Sequence, residues 1–201
     1  MQIYKSLTRQ TIIPRIYLWD NKPNIHTSSL DVDIYVKSSN NLMCLPRWHL
    51  AKLAITKYVA IMDDDIIPVK IDTLERLVNL MEEMEDISAV GPTGVILDPK
   101  LSYRKCRHIS LKDQSTHDRR VDIIKGRFFL TKKDYLNGFT PITPDCEDIE
   151  ASAHVSKYGR LLIPKWTPSE FMNLKSGLES LDSRPEHYAH REKQRRRVFS
   201  F

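Results

Sequence analysis

Tyr58-Val59-Ala60-Ile61-Met62-Asp63-Asp64-Asp65-Ile66-Ile67-Pro68 sets an apolar run directly against three carboxylates. The run from Tyr58 to Met62 has the length and composition of a buried strand. Three adjacent like charges repel one another, and a divalent cation relieves that repulsion. Hard cations such as Mg²⁺ or Mn²⁺ take one or two carboxylates and complete their shell with water and phosphate oxygens. One reading is therefore a cation–diphosphate site at the carboxyl end of a strand, the edge where open α/β sheets bind ligands. The other is local: aspartate favours turns and helix N-caps, so Asp64 or Asp65 would simply cap the next element.

Upstream, Gln2 to Arg9 carries Ile3 and Leu7 at helical spacing. Arg15 to Trp19 predicts a strand, stopped by the turn Asp20-Asn21-Lys22-Pro23. Asp31 to Lys37 alternates Val32, Ile34 and Val36 and predicts another. Pro46 opens a helix to about Thr56 that turns Leu45, Trp48, Ala51 and Ile55 inward, and Tyr58 to Met62 is then the central strand.

Downstream, Asp72 is a candidate N-cap with Glu75 three residues on, ahead of the stripe Leu74, Leu77, Val78, Met81 and Met84. Ile87 to Ile96 predicts a strand broken at Gly91-Pro92, and Leu97 to Asp118 is polar and irregular. Val121 to Ile124 predicts a strand that Phe128 to Leu130 continues beyond Lys125-Gly126-Arg127. Glu147 to Tyr158 predicts a helix ended by Gly159, and Leu161 to Ile163 a last strand. This alternation predicts an α/β sandwich around a mostly parallel sheet. Residues 1–165 make its core. Residues 166–201 read as a peripheral arm of the same domain, through Gly177 and Pro185 to a solvated basic tail with Arg191, Lys193, Arg195, Arg196 and Arg197.

At 201 residues, with 41% hydrophobic and 28% charged residues, the chain suits one soluble domain. A net charge of +5 and a pI near 9.0 favour anionic partners such as nucleotides. The basic end has only Tyr188, Phe199 and Phe201 as aromatics, too few for a base-stacking platform, so no nucleic acid is expected. Peripheral contact with an anionic membrane is the other use of that charge. Cys44, Cys106 and Cys146 form no C-x-x-C pair, which implies a reducing compartment. No secretory signal or membrane-spanning run is visible, so the expected location is cytoplasmic. Neither G-x-G-x-x-G nor a P-loop occurs.

Gln10-Thr11, Pro14 and a strand ending at Asp20-Asn21 come first; Arg47 then heads a helix leading to Asp63-Asp64-Asp65; Gly126 and Cys146-Glu147-Asp148 close the series. In this order, over residues 2 to 165, the set resembles the nucleotide-sugar glycosyltransferases of the GT-A fold, in particular the inverting family two. The resemblance implies a GT-A α/β/α sandwich. The family's opening strand is absent here, which would leave sheet edges exposed. It also implies Asp63 and Asp65 as the outer acids of a D-x-D motif, with Asp64 between them in the donor site. Asp65 would bind Mn²⁺ or Mg²⁺, and Asp63 the ribose or the metal's waters. The metal would offset charge on the departing nucleoside diphosphate.

By the same resemblance Asp20 meets the nucleotide base, Arg47 lies near the nucleotide, and Gly126 lets the backbone pass close to donor or acceptor. Asp148 is the catalytic base, beside Glu147 that orients the acceptor and raises the base's pKa. His187 would complete the metal site, with His190 as its alternative. Each residue also has a local explanation: an Asx turn for Asp20, a solvated helix position for Arg47, helix-dipole acids for Glu147 and Asp148, surface positions for the histidines. The Q-x-x-R-W motif of processive relatives is absent. The implied activity moves a sugar from a UDP- or GDP-sugar to a hydroxyl of a glycan or glycoconjugate. Two other readings are a nucleotidyltransferase, which would want a basic glycine-rich loop, and a degenerate non-catalytic domain that binds a nucleotide sugar or a partner.

Overall fold

A computed structural model describes residues 2–21, 30–174 and 186–199. Lys22 and Pro23 of the predicted turn, and Gly177 and Pro185 further on, lie outside them. The chain begins with α1 (Gln2–Leu7), β1 (Tyr17–Asp20), β2 (Ile34–Lys37) and α2 (Leu45–Ala51). The aspartates lie between β3 (Tyr58–Met62) and β4 (Ile66–Pro68). Then come α3 (Thr73–Glu83), β5 (Ile87–Val90), β6 (Gly94–Ile96), a 3-10 turn at Tyr103–Lys105, β7 (Arg107–Ile109), β8 (Arg119–Val121) and β9 (Ile123–Ile124). After β10 (Phe128–Lys132) come α4 (Glu147–Val155), β11 (Arg160–Ile163), α5 (Thr167–Glu170), β12 (Phe171–Asn173) and α6 (His187–Val198).

The main sheet has five strands in the order β3-β10-β5-β11-β8. It is mixed, not mostly parallel: only β5 and β11 run parallel, and the other three pairings are antiparallel. The cause is β10. Val121 to Ile124 does not continue into it, because β8 pairs with β11 while β9 pairs with β6 in a separate three-stranded sheet. The chain then turns through Lys125-Gly126-Arg127 and inserts β10 between β3 and β5, antiparallel to both. Nor is β3 central. It lies at one edge of the main sheet, and β1 and β2 form their own parallel pair.

Successive side chains on a strand face opposite ways, and the main sheet is buried on both sides. Phe129, Ala89, Leu161 and Ile163 pack with Trp48 and Ala51 of α2 and with Ala151 and Val155 of α4. Phe128, Val90, Leu130 and Leu162 pack on the other side with Leu74, Leu77 and Met81 of α3. The predicted α3 stripe is therefore core. Helix α2 ends at Ala51, short of the predicted end, and leaves Ile55 71% exposed.

Polar groups fasten the edges of this core. Asp72 makes no side-chain cap on α3. Its place is taken by buried Gln10, whose Oε1 accepts from Leu74 N at 3.1 Å and whose Nε2 donates to Lys70 O at 2.8 Å. Glu75 accepts instead from Thr11 Oγ1. Glu170, 1% exposed, takes Lys70, Arg76 and Thr73 Oγ1 on its carboxylate, and Arg76 also lies over the Trp166 ring. Past Ile163, β12 also joins the body: it pairs antiparallel with β4, directly after the aspartates. The basic run is solvated only in part: Lys193, Arg196 and Arg197 of α6 are exposed, whereas Arg191 and Arg195 are buried. Among the described residues no helix is long and apolar enough to cross a membrane.

Candidate functional site

Strands β3 and β5 are each antiparallel to β10, and β5 is parallel to β11. The carboxyl ends of β3, β5 and β11 therefore share one edge of the sheet with the turn that enters β10. Asp63 N donates to Arg127 O at 2.9 Å across this edge, and Lys125 N donates to Thr93 O at 3.0 Å. The acids after β3 are thereby held against Lys125-Gly126-Arg127.

Pro46 starts α2 and leaves Arg47 in its first turn, aimed at the same edge. The Arg47 guanidinium bridges two carboxylates, Asp63 through Nη1 and Glu147 through Nη2. Burial alone would lower the Arg47 pKa, but the charge of Glu147 raises it. Burial pushes the Glu147 carboxyl up, and Arg47 opposes that shift. Gly126 lies against this bridge: a Cβ there would sit 2.5 Å from Arg47 Nη2 and 3.0 Å from Glu147 Oε1. A side chain at 126 would push the guanidinium off Glu147.

Cys146, Glu147 and Asp148 begin α4, all buried. Asp148 Oδ1 accepts from Ile149 N at 2.9 Å. Its Oδ2 accepts from Gly126 N at 3.3 Å and from Arg191 Nη2 at 2.8 Å. Burial would raise this carboxyl, yet Arg191, by charge and hydrogen bond, brings it below the ordinary value. Arg191 also donates to Asp145 O at 3.2 Å and lies 4.8 Å from the Tyr103 ring centre. Three further bonds dock α6 beside it: Gln194 Nε2 to Glu150 Oε1 at 2.5 Å, His190 Nδ1 with Asp145 Oδ2 at 3.0 Å, and Tyr103 N to Glu192 Oε2 at 2.7 Å.

Glu192 makes the fold acid-sensitive. A hydrogen bond from Arg195, assisted by Arg196 and opposed by burial, lowers the Glu192 carboxyl from 4.5 to about 2. A carboxyl depressed by folding adds stability above its unfolded value and loses it as pH falls through the folded one. Stability should therefore fall from about pH 4.5 towards about pH 2. Thermal midpoints measured across that window should slope less steeply in Glu192→Gln.

Asp65 meets a different cation. Arg127 Nη2 donates to Asp65 Oδ1 at 2.9 Å and approaches Asp65 O at 3.4 Å, while Leu174 N donates to Asp65 O at 2.7 Å. Asp64 is exposed. Asp20 sits in the small sheet, where its Oδ2 accepts from Tyr35 Oη at 3.0 Å. His187 is buried in the first turn of α6, edge-on to the Tyr188 ring.

Five expected residues thus converge, namely Arg47, Asp63, Gly126, Glu147 and Asp148. Asp65 is beside them through Arg127. No three His, Cys, Asp or Glu side chains among the described residues form a group that could hold a metal ion, so Asp63, Asp65 and His187 do not make one ligand set. The acids still suit a hard divalent cation, which needs only one or two carboxylates. In both Asp63 and Asp65 the arginine takes Oδ1, and the side chains are 30% and 32% exposed. Cys44 and Cys146 are poor nucleophiles, because burial pushes the Cys44 thiol up to about 12 and Cys146 higher still.

Sequence reasoning misses the roles of Arg127 and Arg191. Arg127 has a signal in its place beside Gly126. For Arg191 the signal is its spacing with Gln194 and Arg195, which marks one helix face inside a run that otherwise looks solvated.

No family model and no curated protein matches the sequence. Among solved structures, the crystal structure of GalNAc-T7 with UDP, GalNAc and Mn²⁺ is similar at a TM-score of 0.54 and 12% identity, over 78% of this chain. The chain spans 36% of the length of that protein. The structure of A197 from STIV aligns at a TM-score of 0.39 and 15% identity, over 75% of this chain and 85% of that one. The likeness to GalNAc-T7 is one of fold: α/β, with helices on a central sheet, and GT-A-like.

Proposed function

We propose that this chain is a glycosyltransferase that moves a sugar from a nucleoside-diphosphate donor, a UDP- or GDP-sugar, to a hydroxyl of a glycan or glycoconjugate. One observation carries the reading. Arg47, Asp63, Gly126, Glu147 and Asp148, from four separate segments, meet at the carboxyl edge of a sheet in a GT-A-like fold. The fold neighbour was crystallised with UDP, GalNAc and Mn²⁺, which supports the same class of donor and cation here.

In this reading Asp65 and Asp63 would hold Mn²⁺ or Mg²⁺, which when bound would supply charge to offset that of the departing diphosphate. Arg47 keeps Asp63 and Glu147 in place. The acceptor oxygen forms a bond to the anomeric carbon as the bond from that carbon to the diphosphate oxygen breaks. The acceptor's proton passes to Asp148, which Arg191 holds ionised beforehand. Attack opposite the leaving group inverts the anomeric centre. Both Asp148 oxygens already meet protein donors, so this base role requires Arg191 to yield its place to the acceptor. That same closure favours the second reading, a non-catalytic domain that binds a nucleotide sugar.

Calorimetry with UDP- and GDP-sugars in the presence of Mn²⁺ tests the first step. Binding is expected in the wild type and lost in Asp65→Ala. Release of nucleoside diphosphate, with the product's anomeric configuration read by NMR, then separates transfer from mere binding. A chain that binds no nucleotide sugar is neither of the two.

A further inference from the structure

Among the described residues three arginines hold acids near this edge, and Arg191 and Arg127 do so from opposite circumstances. The side chains of Arg191 and Asp148 are 8% and 7% exposed, and that pair is buried where α6 packs on α4. Those of Arg127 and Asp65 are 27% and 32% exposed. Ion pairs that water reaches contribute little and exchange readily. The Arg127 backbone, by contrast, is fixed: its carbonyl holds Asp63 N, and the next residue, Phe128, is fully buried at the start of β10. A solvent-reached guanidinium thus sits on a rigid mount, at the place where the chain gathers its acids.

We infer that Arg127 is a positioning residue that exchanges partners, holding Asp65 in the free protein and turning to a phosphate oxygen when a nucleoside diphosphate enters. The inference rests on the glycosyltransferase reading of this site. A planar guanidinium suits phosphate as well as carboxylate, so the exchange swaps one charge-assisted hydrogen bond for another. It also frees Asp65 as the donor arrives. Until then Arg127 competes with any cation for Asp65, so a cation alone binds weakly and cation and diphosphate bind best together. Lys125, two residues earlier on the same turn, adds positive charge along the chain.

The exchange gives Arg127→Met two effects of opposite sign. Binding of Mn²⁺ alone, followed by the electron paramagnetic resonance of the free ion, should tighten several-fold because Asp65 loses its competitor. Binding of UDP or GDP in the presence of Mn²⁺, followed by calorimetry, should weaken about tenfold or more, the worth of one charge-assisted hydrogen bond. Arg127→Lys keeps the charge and should recover part of the diphosphate affinity; it also serves as the readout where the Met variant fails to fold. A purely structural role would move both affinities the same way or neither. That result, in a wild type that binds diphosphate, overturns the exchange and leaves the glycosyltransferase reading standing. A wild type that binds neither UDP nor GDP overturns both.

Discussion

Asp148→Asn is expected to lower turnover by about 10²–10⁴-fold, the contribution of a positioned general base, while donor binding persists. The asparagine oxygen can still accept from Gly126 N and Arg191 and so hold the turn beside the acids, but the amide nitrogen cannot accept from Ile149 N as Oδ1 does. The charge that receives the acceptor's proton disappears as well. The variant also leaves the Arg191 guanidinium buried without a counter-charge, at a cost of about 3–5 kcal/mol. Turnover is therefore to be measured below the variant's own unfolding midpoint, with donor affinity by calorimetry beside it. Turnover near the wild-type rate would remove Asp148 from the base role and leave Glu147 as the nearest carboxylate.

Arg191→Met should destabilise the fold by a similar amount, about 3–5 kcal/mol, read from the urea midpoint. The buried Asp148 carboxylate would keep only the Gly126 and Ile149 N–H groups, and its pKa would rise once burial acts without the opposing charge. The contact with the Tyr103 ring and the bond to the Asp145 carbonyl go as well. Arg191→Met with Asp148→Asn should recover part of the loss, because no unpaired charge then stays buried. A single-variant effect below about 1 kcal/mol, the level of an exposed pair, would mean that α6 merely rests on α4.

Element types were largely legible in the sequence because each carried a local signal. The stripe from Leu74 to Met84 has helical period, and Gly91-Pro92 punctuates one apolar run into two strands. Strand direction had no such signal. Phe128 to Lys132 reads the same way forwards or backwards, and only the hydrogen-bond partners on either side reveal that it returns between β3 and β5. The acids were legible as charges placed at element ends. Their partners were not, because Arg191 lies 43 residues from Asp148 and looks like any other member of a basic run. The cap on α3 failed for a related reason: Asp72 had the right place, but Gln10 arrived from 64 residues away with its amide already buried. The position of β3 at the sheet edge follows from pairings across the whole chain, and no single stretch encodes them.

The separation of β1 and β2 from the main sheet bears on cooperativity. Among the described residues no ladder of backbone hydrogen bonds joins the two sheets, and α2 packs beside both. A region with few shared bonds can open at a lower free energy than the body it leans on. The small sheet carries Asp20, whereas the Arg47–Asp63–Glu147 bridge and the Asp148–Arg191 pair belong to the main body. The small sheet is thus held to the main body by side-chain packing, with α2 between them, rather than by shared strand bonds. A ligand that touched both Asp20 and the acids would then tie the small sheet to the main body.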